Sequence, residues 1–317
     1  MKSVTPILVL VILFSVFGCF GRAAVPYTKE VFPVQLEKPI PGLKLEVFQT
    51  GRMVIDGWAA YTGGEGKISM DQPAYLISHP HYGLIAFEAG HHSEIATNPS
   101  EHLGWIHRVG LMPMEQDSGQ DFRNQLKASG RNPDSLRDIL VSHYAHTEHV
   151  GAVEEFPNAR IVADRREVKH GNESPNYNYV KTEYDGVSNW HQIDFSLKKQ
   201  FGSFEGSYDL VGDGSILILS TPGHTPGHIS VLVNLGSGPV LLTGDMAWTE
   251  YNIRSASIGL PFISSDGEAA RISLGQLLAF QSKNPDVLIV PGHDLNPLRR
   301  KSRKDIQIHP WSVVQKK

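Results

Sequence analysis

Four separated segments of this chain each place a metal-capable side chain just after a short apolar run. They are Val141-Ser-His-Tyr-Ala-His-Thr-Glu-His149, Thr221-Pro-Gly-His-Thr-Pro-Gly-His228, Leu241-Leu-Thr-Gly-Asp245 and Leu288-Ile-Val-Pro-Gly-His293. A strand end holds a side chain rigidly, and glycine and proline turn the backbone sharply enough to point it into a shared cleft. The chain must therefore adopt a fold that gathers several strand ends at one place. Imidazole and carboxylate together suit zinc, manganese or iron, and no cysteine is at hand as a soft ligand. A lone histidine is usually an ordinary polar residue. The joint spacing of His146, His149, His224, Asp245 and His293 reads instead as a ligand set.

The pattern between these segments is that of a mixed α/β chain. Leu43 to Phe48 alternates apolar and polar residues, as a half-buried strand does. Ala74 to Ile77 and Gly83 to Phe87 flank His79-Pro80-His81-Tyr82, which reads as a hairpin turn. Further strands are expected at 139–142, 160–163, 216–219, 230–233, 240–242 and 287–290. Asp121 to Ser129 reads as a helix ended by Gly130, and Gly267 to Ser282 as a helix with an apolar side. Residues 25 to 42, with four prolines, look like an extended lead-in. No short repeat or low-complexity linker interrupts the chain, so 25–317 is expected to be one domain.

Composition narrows the partners. At 317 residues, 20% charged and with a formal net charge of −4, the chain has no long basic run, which argues against nucleic acid. Residues 1–24 read as a signal: Lys2 precedes an apolar stretch from Val4 to Gly18, shorter than the about 20 residues a spanning helix needs. Two processing points remain open. Cys19 after Val16-Phe17-Gly18 resembles a bacterial lipoprotein site, which would tether the protein to a membrane. Simple cleavage near Ala23-Ala24 is the alternative. Either gives a secreted, periplasmic or lipid-anchored protein, without a disulfide.

With these motifs in view, the chain resembles the metallo-β-lactamase superfamily, and within it the quorum-quenching N-acyl homoserine lactonases. The stretch Thr221-Pro-Gly-His-Thr-Pro-Gly-His228 is the most specific part of the likeness. Leu84-Ile-Ala-Phe-Glu-Ala-Gly90, Phe156-Pro-Asn-Ala159 and Ser237-Gly-Pro-Val-Leu-Leu-Thr-Gly-Asp245 extend it over most of the chain after the signal. The resemblance implies an αββα sandwich and a two-metal hydrolase. Its motif His-x-His-x-Asp-His falls on Tyr144-x-His146-x-Glu148-His149 if the register is gapless, and one inserted residue would give the first place to His143.

The implied site has His146, His224 and either His143 or Tyr144 on one metal. Glu148, His149 and His293 take the other, and Asp245 bridges. The ions expected are zinc, with manganese, iron or cobalt as alternatives; loss of the first ligand would leave one ion. The implied reaction is attack on a lactone or ester carbonyl, with Glu148 moving the proton to the leaving group. Trp248 stands where the lactonases carry a tyrosine that hydrogen-bonds the reacting carbonyl. Another ester, a β-lactam or an organophosphate is the rival substrate, and a non-catalytic metal- or ligand-binding relative the rival class. Superfamily relatives are often dimers. Of the remaining residues, His228 reads as structural, Glu88 as stabilising its loop, and His91-His92 as a polar loop near the site mouth. Trp105, Met112 and Met114 are candidate acyl-pocket residues, and Arg299-Arg300-Lys301 with Lys304 reads as a solvated basic face.

Overall fold

The computed structural model describes residues 21–104, 114–174, 179–197 and 199–311. The apolar leader, Cys19, Trp105 and Met112 lie outside these residues. Seven strands build a first sheet: β1 (Lys44–Asp56), β2 (Lys67–His79), β3 (Gly83–Phe87), β4 (Met114–Glu115), β5 (Leu136–Leu140), β6 (Arg160–Asp164) and β7 (Trp190–Ile193). Six build a second: β8 (Lys199–Phe201), β9 (Phe204–Asp209), β10 (Ile216–Ser220), β11 (Ile229–Val233), β12 (Val240–Leu242) and β13 (Leu288–Val290). The last strand, β14 (Ile306–His309), returns to pair in parallel with β1.

Alternation along the strands decides what each face touches, because successive side chains point to opposite sides. Ile216 and Ile218 of β10, Val231 and Val233 of β11, and Leu140 and Val162 of the first sheet meet in the layer between the sheets. The alternate residues face outward. Ile139 and Ile161 pack with Phe122 and Leu126 of helix α1 (Phe122–Ala128), and Leu219 and Leu232 pack with Leu274, Leu277 and Phe280 of the helix Gly267–Lys283. Helix on sheet on sheet on helix is the αββα sandwich expected from the resemblance. α1 starts where Asp121 accepts a hydrogen bond from the Asn124 amide, a side-chain N-cap.

Two features exceed the expectation. β1 and β2 are longer than their apolar stretches, because the outer ends Met53, Ile55, Ile68 and Met70 pack as a pair on Ala60 and Trp248. The lead-in is strapped to the body: the Val25 amide donates to Arg271 O at 3.0 Å, and Val34 N to Asn284 Oδ1 at 2.8 Å. Met114, in β4, pairs with Met53 at the same edge.

Candidate metal centre

The ligand-bearing segments converge because the strands that carry them end on one rim. β12 and β13 run parallel with Leu242 beside Val290, which sets Asp245 and His293 side by side. The loop 221–228 joins β10 to β11, and β11 is tied to the first sheet where the Ile229 amide donates to Ser142 O at 3.1 Å. The histidine cluster that follows β5 thus faces the loops of the second sheet.

Asp245 sits at the middle of the gathered side chains. Its Oδ2 lies 3.3 Å from His224 Nε2, 3.9 Å from His143 Nε2 and 3.9 Å from His146 Nδ1. Its Oδ1 lies 3.1 Å from His293 Nε2 and 3.4 Å from His149 Nε2. The donors fall into two groups: His143, His146, His224 and Asp245, and Glu148, His149 and His293, the atoms of each lying within 4.8 Å of one another. The Nε2 atoms of His143, His149 and His224 are buried and have no hydrogen-bond partner. Orphaned buried nitrogens are costly unless something else satisfies them. Three of them aimed at a shared carboxylate fit a pair of divalent cations, with Asp245 spanning both.

The protonation balance points the same way. Burial, then the neighbouring histidines, pushes His143 well below the usual imidazole range; burial also pushes His224 well down. Both are therefore neutral, the form that ligates. Burial would lower His149 too, but Glu88 and Asp245 outweigh it and raise the group to about 10. Asp245 would be raised by burial, yet His293, His149 and His224 hold it well below the ordinary carboxylate range. Glu88 and Asp245 thus favour positive charge at His149, while burial disfavours it at His143 and His224.

The surrounding shell fixes these donors. Glu88, at φ 67°, accepts from the Ser142 amide at 3.1 Å on one carboxylate oxygen, and its other oxygen lies 3.1 Å from His149 Nδ1 as an ion pair. His293 Nδ1 donates to Asp71 O at 2.9 Å, and Arg299 forks the Asp71 carboxylate at 2.9 and 3.1 Å. Arg299 is thus not merely part of a solvated basic face; it steadies the residue that orients His293. His228 takes the Asp245 amide proton on Nε2 at 2.9 Å and donates through Nδ1 to Thr221 O at 3.1 Å. A Cβ at Gly244, whose φ is 52°, would stand 2.8 Å from that His228 nitrogen, so only glycine permits this approach. The structural part expected of His228 becomes a specific one: it anchors the backbone of Asp245.

Of the two alternatives at the first ligand position, His143 is the one in the cluster. Tyr144 points away, its ring 4.9 Å from those of Tyr184 and Trp190 in the apolar layer. Burial drives its phenol far above the ordinary range, the opposite of what a phenolate ligand needs. His143 and His146 are thus separated by two residues, and His146 itself adopts φ 75°. Glu148 is buried beside His149 and His293, 4.0 Å from His149 Nε2. Trp248 is almost wholly buried, its ring edge-on to His224 at 6.2 Å.

A further carboxylate, like Asp71, belongs to no motif in the sequence. Glu167, fully buried in helix α2 (Arg165–Glu173), accepts from the Tyr144 amide at 2.8 Å and from the Gly227 amide at 3.1 Å. It links the loop of His143 to the loop of His224. Nothing in its spacing from the motifs betrays that role. His91 also parts from expectation. His91 is buried, 2.5 Å from Gln72 Oε1, and burial lowers it to about 4. His92 stacks on His102 at 4.5 Å, and His102 pairs with Glu94 and Glu183 at 3.2 and 3.0 Å.

Comparison with known proteins agrees with this geometry. The family described as the metallo-beta-lactamase superfamily matches residues 110–293, more than half of the chain. The N-acyl homoserine lactonase AttM of Rhizobium radiobacter is 34% identical over 240 residues, covering 73% of this chain and 85% of that protein. The lactonase AiiA of Bacillus thuringiensis subsp. kurstaki is 31% identical over 256 residues, covering 80% and 93%. A solved N-acyl homoserine lactone hydrolase, with N-hexanoyl-L-homoserine bound at its catalytic metal center, superposes with a TM-score of 0.68. It is 26% identical and covers 85% of this chain and 98% of that one. With the family match, the identities and the donor set in agreement, the chain belongs to the metallo-β-lactamase superfamily.

Proposed function

We propose that this protein is a metal-dependent hydrolase that opens lactone rings, with N-acyl homoserine lactones as its leading substrate class. The observation that carries the reading is Asp245, whose two oxygens face two separate groups of buried donors. The relatives named as N-acyl homoserine lactonases, and the solved one holding a ring-opened product, support the substrate class. His143, His146 and His224 would hold one cation and Glu148, His149 and His293 the other. Zinc suits this nitrogen and oxygen set, and manganese, iron or cobalt suits it also. When bound, such a pair supplies an acidified water and polarises the ester carbonyl.

The chain's own residues do the rest. His228 anchors the backbone of Asp245 beside Gly244, and Glu88 holds His149 by its far nitrogen. Glu148 would take the proton released as water adds to the carbonyl and pass it to the ring oxygen as the C–O bond breaks. Trp248 closes the side of the site next to His224, where its indole N–H is a donor but no acid.

The test is hydrolysis of an N-acyl homoserine lactone, an aryl ester and a β-lactam by one zinc-loaded preparation, with metal content measured by elemental mass spectrometry. Lactone turnover above the others, with about two ions per chain as two-metal sites require, is the expected result. Preference for another substrate would overturn the lactone assignment. No metal after reconstitution and no turnover of any substrate would overturn the enzyme.

A further inference from the structure

We propose that His92, Glu94 and His102 form a cation site of their own, apart from the donors around Asp245, which takes one divalent ion of the zinc class from solution. One ligand atom from each of the three lies within 4.8 Å of the other two, and none of them belongs to the Asp245 groups. The local fold brings them together. His92 caps the turn Ser93–Ala96, the Asn98 amide donates to Glu94 O at 2.7 Å and the His102 amide to Asn98 O at 3.0 Å. The chain is thereby turned back, and the two imidazoles stack with their planes 13° apart. Each ring has its far nitrogen against a carboxylate: His102 Nε2 lies 3.0 Å from Glu183 Oε1, and His92 Nε2 lies 3.5 Å from Glu155 Oε1. A carboxylate there keeps the proton on that nitrogen and leaves the other as a lone-pair donor, which is how metal-bound histidines are commonly supported. On the near side, His102 Nδ1 faces Glu94 Oε2 at 3.2 Å, and His92 Nδ1 accepts only the Glu94 amide proton, at 3.2 Å. Tetrahedral zinc with bonds of about 2.1 Å sets its ligand atoms roughly 3.4 Å apart. An ion would take the place of the amide on His92 and draw in the free arm of Glu94.

The charge balance calls for a cation. Glu94, Glu155 and Glu183 face the two imidazoles, and among the described residues no lysine or arginine pairs with any of the three. One oxygen of Glu155 and one of Glu183 are buried with no hydrogen-bond partner. Buried carboxylates left in such excess are costly unless a positive charge offsets them. The Glu94 side chain is 58% exposed against 20% for His92 and 9% for His102, so the way in is from the Glu94 side and a water keeps the fourth position. Three ligands and an open position hold an ion less tightly than the enclosed donors around Asp245, and it exchanges with solvent. The Thr147 hydroxyl donates to Glu183, so an ion on His102 also steadies the turn between His146 and Glu148 from behind.

The experiment loads the full chain with zinc, removes loosely held ion by gel filtration and measures what is retained by elemental mass spectrometry. Zinc chloride is then titrated back by calorimetry, with His92→Ala and Glu94→Gln treated alongside. The expected result is about one further ion per chain in the wild type, as a single N,N,O site requires, with a rise in melting temperature over the same zinc range. Both are lost in the two variants, which keep the ions retained through gel filtration. Glu94→Gln is an exposed change that leaves the His92 turn intact, so its loss of binding cannot come from unfolding. No further ion in the wild type overturns the proposal. A further ion that persists in both variants overturns it too, because zinc would then be refilling the Asp245 groups or binding to other surface histidines.

Discussion

At the residue scale, adjacent side chains in the histidine cluster have opposite duties. His143 offers an orphaned nitrogen to the donor cluster around Asp245, while the Tyr144 hydroxyl is buried with no partner. His143→Ala is expected to lose bound metal and turnover. Tyr144→Phe is expected to keep both and to melt at or slightly above the wild-type temperature, since it removes an unsatisfied buried polar group worth about 1 kcal/mol or more. Metal analysis and thermal melts of the two variants check this; metal loss in Tyr144→Phe would reverse the assignment. Glu167 makes a second case. Glu167→Ala frees two buried amides and should cost roughly 2–6 kcal/mol at about 1–3 each. Glu167→Gln, retaining one carbonyl acceptor, should fall between. If positioning is its role, kcat drops with stability while KM changes little; a drop in stability alone would make it purely structural.

At the element scale, the pieces that could be read from the sequence are those whose physics is local. β10, β11 and β12 are continuous apolar runs, and α1 announces itself through Asp121 and Gly130. The first half of β2, Lys67-Ile-Ser-Met-Asp-Gln, and the short β7 to β9 carry too many polar residues for such a reading. They are strands because neighbours supply the pairing. The four ligand segments were legible through their shared strand-end placement. The register of the cluster was not, because His143 and Tyr144 are neighbours in sequence and only the backbone shows which of the two side chains enters the site. Asp71 and Glu167 were hidden for another reason: single carboxylates that act through space leave no spacing to recognise.

The 3₁₀ turn Ser93–Ala96 and the helix Pro99–His102 carry a pH-dependent tie of their own. Burial works against a charge on His102, but Glu183 and Glu94 outweigh it and raise its affinity for a proton above the ordinary value of 6.5. The sign follows: the folded state binds this proton more tightly than the unfolded one. The stabilisation is complete below about pH 6.5 and fades as the pH rises through the higher folded value. The difference in melting temperature between wild type and His102→Gln should therefore be largest at mildly acid pH and shrink toward alkaline pH. A difference that grows with pH would refute the pairing.

At the scale of the whole molecule, metal held by these donors would also be a structural element. Chelation should destabilise the protein as well as silence it. With free metal a thousandfold above its dissociation constant, binding contributes about 4 kcal/mol, or roughly 8 °C at about 2 °C per kcal/mol for a chain of this size. Calorimetry before and after exhaustive chelation measures it, and an unchanged melting temperature would mean that the donors hold their places without cations.

The donors come from both sheets: His143, His146, Glu148 and His149 follow β5, whereas His224, Asp245 and His293 belong to the loops of the other layer. A cation pair held there would act as a cross-link between halves of a chain whose lone cysteine rules out an internal disulfide. Such a clasp shortens the loops open to the unfolded chain and resists slippage of one layer over the other. Amide hydrogen exchange along the seam between β5 and β11 would then be governed less by the hydrogen bonds that cross it than by how tightly the ions are held.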